Sequence, residues 1–212
     1  KNFMKKNLNR LISLYTPNFL WGLAIAVGVM LRLRQYFVNR SLWVDEAMLA
    51  FNIVNRTFGT LTLPLDFNQG APIGFLFIEK FIIMILGNHY YILRLLPILS
   101  GVLSVYLIYL IAKEHFGKPG MFAVLLFSIS ASIIYYSSEL KQYSSDVMFA
   151  LLLTYLAFLC LEQEAHIRKF ILLGIAGVCS IWISHPSAFI LAGIGIILLV
   201  EKILKKAYSQ IP

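Results

Sequence analysis

Two short polar segments hold the residues best able to do chemistry, and the first is the acidic pair Asp45-Glu46. The pair stands at the start of a predicted helix, Glu46–Val54, after a long apolar block. A carboxyl group at the water–lipid boundary lies in a lowered dielectric, which can raise its pKa and make it a usable general base. The structural alternative is a cap, because an Asp at a helix start accepts from free backbone N–H groups. Both interpretations stay open.

The second polar segment, Ser137–Asp146, separates two apolar blocks and mixes acid, base, amide and phenol side chains: Glu139, Lys141, Gln142, Tyr143 and Asp146. Glu139, Tyr143 and Asp146 would share one face if the segment were helical. We expect a polar wall around an anionic, hydroxyl-rich ligand. Lys141 would face phosphate, and the two acids would face sugar hydroxyls or a cation. The alternative is a solvated loop.

Three further sites hold basic side chains beside apolar blocks. Arg94 can hold a lipid-linked phosphate through its guanidinium fork, or it can snorkel to the lipid headgroups. Arg32 and Arg34 are expected to snorkel. His185, before Pro186, can contact a ligand or phosphate, although a lone His more often makes an ordinary hydrogen bond than binds a metal.

The elements that must position these residues are predicted from composition. The 212 residues are 59% hydrophobic and 13% charged, and the apolar residues form long blocks, whereas a soluble domain is about a quarter charged. The net charge of +8 comes from short Lys and Arg clusters between those blocks, which is a topology signal and does not indicate nucleic acid. We predict an all-α polytopic transmembrane bundle.

Six apolar blocks are long enough, or nearly so, to span a bilayer. They are about Pro17–Phe37, Arg94–Ala112, Pro119–Tyr136, Val147–Leu161, Phe170–Ser184 and Ser187–Leu204. A seventh block, Pro72–Leu86, reaches only about 22 Å, short of the roughly 30 Å hydrocarbon core. Because it also carries Glu79 and Lys80 at its middle, we expect a helix on the membrane surface.

Positive charge predicts the orientation. With six spans and a cytoplasmic N-terminus, all four basic clusters face the cytoplasm: Lys5/Lys6/Arg10, Lys113/Lys118, Arg168/Lys169 and Lys202/Lys205/Lys206. A seventh span would move two of them outside. The polar segments 38–93, 137–146 and 184–187 then share the external face, which we expect to be the periplasmic face of a bacterial inner membrane. We expect Asp45, Glu139–Asp146 and His185 to converge there in one aqueous cleft.

Several segments resemble one family in order and spacing. Ser41-Leu-Trp-Val-Asp-Glu-Ala47 resembles the Asp-Glu loop motif of the GT-C glycosyltransferases, in the branch of protein O-mannosyltransferases and aminoarabinose (lipid A) transferases. Arg94-Leu-Leu-Pro97 with Ser100-Gly101 is similar to a span motif of that branch. Similar segments also occur at Lys113–Gly117, Tyr136–Asp146 and Trp182–Ala188. The resemblance covers most of the chain.

The resemblance implies transfer of a sugar from a polyprenyl-phosphate carrier with inversion, and a first external loop with two membrane-parallel helices. It implies that Asp45 is the catalytic base, supported by Glu46, and that Asp146 is the acid at the outer end of the fourth span. Arg94 and Lys141 match phosphate contacts less closely. The chain departs from the family at Gln69-Gly-Ala-Pro72, so a phosphate or metal contact there is in doubt. No cofactor is assigned, and a divalent cation stays open because no ligand set is complete.

We therefore expect a glycosyltransferase that works in the lipid bilayer on a polyprenyl-phosphate sugar and an acceptor that is a protein, lipid or glycan. A transporter is an alternative, but it predicts ionisable residues at mid-span, where this chain has almost none. A non-catalytic or truncated assembly subunit is another, since members of the family are usually longer. We treat residues 1–212 as one transmembrane catalytic module, the N-terminal portion of a longer protein.

Overall fold

A computed structural model describes residues 2–162 and 166–208, with side chains for 18–162 and 166–205. Across those residues the regular structure is helical, so the predicted all-α class is confirmed. The α-helices run in chain order as α1 (Asn2–Phe37), α2 (Val44–Asn55), α3 (Ile73–Leu86), α4 (Tyr90–Leu93), α5 (Leu95–Ile111), α6 (Gly120–Ile129), α7 (Ala131–Tyr136), α8 (Tyr143–Leu161), α9 (Ile167–Ile183) and α10 (Ser187–Tyr208). The basic cluster Lys5/Lys6/Arg10 and Lys206 lie outside the described side chains.

Three of the described helices are long and apolar enough to cross a membrane. They are Leu95–Phe116, which is α5 continued by a π-helical turn, Tyr143–Leu161, and Ser187–Lys205 within α10. α6 is a shorter apolar helix, and α9 has 17 residues. α1 begins well before its apolar block, at Asn2 where the block begins at Pro17, but both end at Phe37. The helices of the second, fourth, fifth and sixth blocks follow those blocks within a few residues, and the six-span arrangement stays a prediction.

The block Pro119–Tyr136 is not one helix, because the chain breaks at Ser130 into α6 and α7. Ser130 is extended, with φ −62° and ψ 113°, so the last carbonyls of α6 lose their helical donors. Arg32, from α1, donates to the carbonyl oxygens of Phe127 and Ser128 at 3.4 Å each. Its guanidinium is fully buried, so the snorkelling predicted for Arg32 is wrong.

The loop between α1 and α5 has its own hydrophobic core. Leu49 and Ile53 of α2 pack with Phe75 and Leu76 of α3, and Leu140 joins them from the α7–α8 connection. α3 also contacts α9 closely at Gly74, where a Cβ atom would lie 2.5 Å from the carbonyl oxygen of Trp182. This core ties the loop to the helices that follow it.

The connection 137–142 is a non-helical turn, and α8 begins only at Tyr143. The helical face predicted for Glu139, Tyr143 and Asp146 therefore does not form. The turn lies against α5, where a Cβ atom on Gly101 would come within 2.5 Å of the Cβ of Ser137. Leu140 points into the loop core, and the charged residues on either side of it point the other way.

Candidate active site

Glu46 is the buried centre of the loop between α1 and α5, with 1% of its surface exposed. Its carboxylate accepts from Arg94, with Nε–Oε1 at 3.2 Å and Nη2–Oε2 at 3.0 Å. The backbone N–H groups of Trp43 and Leu140 donate to it at 3.1 and 2.8 Å, and Arg40 Nη1 lies 3.5 Å from Oε2. A buried carboxylate needs such complete pairing. Glu46 thus joins α2, the start of α5 and the 137–142 turn.

Arg94 is as buried as its partner. Besides Glu46, its guanidinium donates to the carbonyl oxygens of Arg40 at 2.7 Å and Ser41 at 3.5 Å. Neither interpretation made from the sequence fits this placement. Arg94 does not snorkel to headgroups, and it is turned away from the solvent that a phosphate contact would need.

Asp45, one residue before Glu46, points into solvent, with 63% of its side chain exposed. Its Oδ2 lies 2.8 Å from Lys141 Nζ, and its Oδ1 accepts from Gln69 Nε2 at 2.9 Å. Lys141 also donates to Gln69 Oε1 at 2.8 Å, so the three side chains form a closed ring. Asp45 is therefore not the N-cap of α2, a position that belongs to Trp43.

The ring changes the protonation of Asp45. The hydrogen bonds from Lys141 and then Gln69 favour the carboxylate and lower the pKa of Asp45 below its ordinary value. The expectation that the boundary dielectric would raise the pKa of Asp45 is wrong, because the carboxyl group is exposed and paired. Asp45 is ionised at neutral pH and can accept a proton.

Around Asp45 lies an open pocket of about 290 Å³, which we call the Asp45 pocket. It is lined by Trp43, Asp45, Glu46, Tyr135, Tyr136, Glu139, Lys141 and Tyr143. Glu139 pairs with Arg40 at 3.1 Å, and the Arg40 guanidinium stacks 4.6 Å above the Tyr135 ring. Five residues chosen from the sequence meet here: Asp45, Glu46, Glu139, Lys141 and Tyr143.

Asp146 and His185 do not line this pocket. Asp146 lies one turn along α8, beside Ser184 and His185 in the connection between α9 and α10. Buried oxygens of Asp146, Ser184 and Ser187 make no hydrogen bond there to the described part of the chain. The single cleft expected from the sequence is instead a pocket with a neighbouring polar cluster.

Sequence reasoning missed Arg40 and Gln69 as site residues. Gln69 reaches Asp45 across 24 residues and Lys141 across 72, and no spacing in the sequence indicates such pairs. Gln69 stands at the position where the chain departs from the resembled motif, and that departure was the available signal. Arg40 follows the first apolar block closely in the sequence, where an arginine resembles any other basic residue that flanks a span.

A cation site is a separate matter. Among the residues with described side chains, no three His, Cys, Asp or Glu groups lie close enough together to hold a metal ion. The carboxylates of the Asp45 pocket are paired with Lys or Arg side chains.

Residues 70–211 match a family model described as dolichyl-phosphate-mannose-protein mannosyltransferase. The chain belongs to this family. The mannosyltransferase family is part of the GT-C superfamily, so the resemblance to that superfamily is confirmed. Arg94–Gly101 lies within the matched residues, whereas Ser41–Ala47 lies before them. The matched range contains Arg94 and the 137–146 segment. Comparisons with curated proteins and with solved structures found no match.

Membership in the mannosyltransferase family, together with the apolar helices, identifies an integral membrane glycosyltransferase. The Asp45 pocket lies at one end of the helices that build this protein. α5 begins at Leu95, next to Arg94, and α8 begins at Tyr143 on the pocket wall.

Proposed function

We propose that the protein transfers a sugar from a polyprenyl-phosphate-linked donor to an acceptor hydroxyl, with inversion and with Asp45 as the general base. The observation that carries this proposal is the exposed carboxylate of Asp45, which Lys141 and Gln69 orient inside an open polar pocket. The family of the chain supports a donor of this chemical class.

The proposed reaction is a single displacement. The acceptor O–H gives its proton to Asp45, and its oxygen attacks the anomeric carbon on the face opposite the phosphate. The bond from that carbon to the phosphate oxygen breaks, and its electron pair leaves with the lipid phosphate. Since the phosphate is already a good leaving group, the protein supplies position, charge and a base.

The pocket has side chains suited to holding a sugar. Trp43, Tyr136 and Tyr143 line it with exposed aromatic surface, and the tyrosines carry phenolic O–H groups that can donate and accept. Glu139 adds a carboxylate that accepts from hydroxyls, while its contact with Arg40 limits its motion. We propose that Glu139 and Tyr143 orient the sugar or the acceptor beside Asp45.

We also propose six spans, with the Asp45 pocket on the external face of a bacterial inner membrane. Lys113 and Lys118 follow the far end of α5, and Arg168 and Lys169 begin α9 just after the far end of α8. His115 stacks on Phe158 at 4.1 Å, so these two ends meet. The basic residues thus lie at the opposite end of the bundle from the pocket, as the positive-inside rule predicts for an external pocket.

The glycosyltransferase family favours an enzyme over a transporter. The remaining alternative is a subunit without activity of its own. It predicts that no donor is consumed even when the protein is correctly inserted in membranes.

The test is transfer of labelled sugar from polyprenyl-phosphate donors in membranes that contain the full chain, with and without a chelator. The matched variants are Asp45→Asn and Asp66→Asn, because Asp66 is an acid of the same loop that pairs with Arg56 at 3.0 Å and does not line the pocket. We expect an inverted product from the wild-type protein and from Asp66→Asn, and a transfer rate about 10²- to 10⁴-fold lower from Asp45→Asn. A retained configuration, or full activity in Asp45→Asn, refutes the assignment.

A further inference from the structure

A second open pocket, of about 570 Å³, lies between the outer end of α1 and the broken α6–α7 segment, and we call it the α1–α7 groove. Leu31, Arg34 and Gln35 line it from α1, and Ile129, Ala131, Ser132, Ile134, Tyr135 and Tyr136 line it from the other side. Tyr135 and Tyr136 also line the Asp45 pocket, so the two cavities share one wall. The inference drawn from this groove rests on the function proposed above.

The break at Ser130 shapes the groove. α6 ends at Ile129 and α7 starts at Ala131, so the chain bends at the point that faces α1. Ala131 and Ser132 are small and leave room there, while Arg32, one turn before Gln35 on α1, fills the buried side of the break. The groove is therefore a feature of the packing of α1 against α6 and α7.

Charge distinguishes the groove from the Asp45 pocket. Lys141 is the basic residue that lines the Asp45 pocket, and it pairs with Asp45. The other two carboxylates of the pocket pair with cations behind its wall, Glu139 with Arg40 and Glu46 with Arg94. A phosphate that entered it would meet about as much negative as positive charge. Arg34 is exposed, is the one basic residue lining the groove, and forms no ion pair with any carboxylate in the described part of the chain.

Apolar side chains in and beside the groove make it suitable for a hydrocarbon chain. Leu31 and Ile129 lie on the side away from the loop, and the neighbouring outer surface carries the exposed apolar side chains of Met30, Leu33 and Leu126. Arg34 is three residues from the end of α1 at Phe37. An Arg at the end of a span sits at headgroup depth, which is where the phosphate of a membrane-embedded polyprenyl lipid must lie.

We propose that the α1–α7 groove binds the polyprenyl-phosphate part of the donor. Arg34 pairs with the phosphate, the first isoprene units lie along Leu31 and Ile129, and the sugar reaches past Tyr135 and Tyr136 into the Asp45 pocket. Arg34 is thus the phosphate-binding residue, in place of the buried Arg94 and the paired Lys141.

The test uses the full chain in nanodiscs and measures binding of undecaprenyl monophosphate, which carries no sugar, by native mass spectrometry. Removing the guanidinium in Arg34→Gln should weaken binding about 10- to 100-fold, the usual loss for a hydrogen bond to a charged group. Arg34→Lys should recover part of this loss. Arg168→Gln, an exposed arginine near the opposite end of the bundle, is the matched control and should bind like wild type.

Undecaprenol, phosphatidic acid and inorganic phosphate complete the probe set. We expect each to bind more weakly than undecaprenyl monophosphate, and Arg34→Gln to leave the undecaprenol affinity unchanged. Ser132→Phe, which fills the groove without removing a charge, should weaken binding of the polyprenyl monophosphate as well. A thermal unfolding curve for each variant shows that it is folded.

Wild-type affinity in Arg34→Gln and Ser132→Phe overturns the groove assignment but leaves the proposed function standing. Equal binding of phosphatidic acid also overturns it, because the site would then select any anionic lipid. If the wild-type protein binds no undecaprenyl monophosphate, the proposed function falls too. Asp45→Asn should keep this binding, which separates the donor site from the base.

Discussion

The first turn of α2 places two neighbouring carboxylates in opposite environments. Glu46 is buried and fully paired with Arg94, Arg40 and two backbone N–H groups, whereas Asp45 is exposed and held by Lys141 and Gln69. A buried ion pair must stay intact, because either partner alone is costly. The Asp45 carboxylate is in contact with water, where an ion pair is weak and can change partners, although its partner Lys141 is buried. We therefore expect the buried Glu46 to stabilise the fold and the exposed Asp45 to be available for the reaction.

The largest effect should come from Asp45→Asn. Loss of a general base typically costs about 10²- to 10⁴-fold in rate, and the amide keeps the size of the side chain. Stability should change little, because the Asp45 side chain is exposed and the buried Lys141 keeps its hydrogen bond to Gln69. Initial transfer rates and thermal unfolding curves of the same preparation measure both effects. An early unfolding transition would show that Asp45 resembles Glu46 after all.

Breaking the buried pair should mainly affect folding. Arg94→Met leaves the Glu46 carboxylate buried without its main partner, and we expect a loss of about 3–5 kcal/mol in the free energy of unfolding. The double variant Glu46→Leu with Arg94→Met removes both charges and should lose less than Arg94→Met alone. Denaturation in detergent measures the three proteins. A stable but inactive Glu46→Gln protein would instead place Glu46 in the chemistry.

The dependence of transfer activity on pH should distinguish Asp45 from Glu46 as the titrating base. Lys141 and Gln69 lower the pKa of Asp45, and the base works when ionised, so activity falls as the pH drops through that lowered pKa. Lys141→Met should raise the pKa and move the acid limb of the profile to higher pH, with a smaller move in Gln69→Ala. Transfer rates against pH test this shift. An unchanged acid limb in both variants would mean that Asp45 is not the titrating base.

Glu79 extends the comparison to a third carboxyl group. It is fully buried in α3, and neither oxygen makes a hydrogen bond among the described residues. Burial raises the pKa of Glu79 well above its ordinary value. As the pH rises, the carboxyl group of Glu79 therefore ionises in the unfolded chain before it ionises in the folded protein. The free energy of unfolding falls progressively between the unfolded-state pKa and the higher folded-state pKa.

Glu79→Gln removes this titration and gives the smallest of the expected effects. The variant should match wild type in thermal stability at acidic pH and exceed it as the pH rises. Lys80→Gln is the matched control, since its side chain leaves α3 and donates to the carbonyl oxygen of Val54 at 3.0 Å. A pH-independent difference between Glu79→Gln and wild type would show that Glu79 is ionised in the folded protein.

Much of the fold could be predicted from local pattern. The helix predicted over Glu46–Val54 is Val44–Asn55, and the block Pro72–Leu86 is a helix over Ile73–Leu86. The break at Ser130 could not be predicted, because it depends on a donor from α1: Arg32 satisfies carbonyls 95 and 96 residues away. A hydropathy pattern carries no information about such a contact.

For the site, the sequence by itself determined which side chains could take part in chemistry, and it showed that they flank apolar helices. These residues are Asp45, Glu46, Glu139, Lys141 and Tyr143. Only the tertiary structure decided which of them are buried and with whom they pair. Packing of the loop core against the 137–142 turn placed Glu46 inside and Asp45 outside, and it brought in Gln69. Residue type sets what a side chain can do, but its solvent exposure and its charged neighbours set the pKa and the free energy that select what it does.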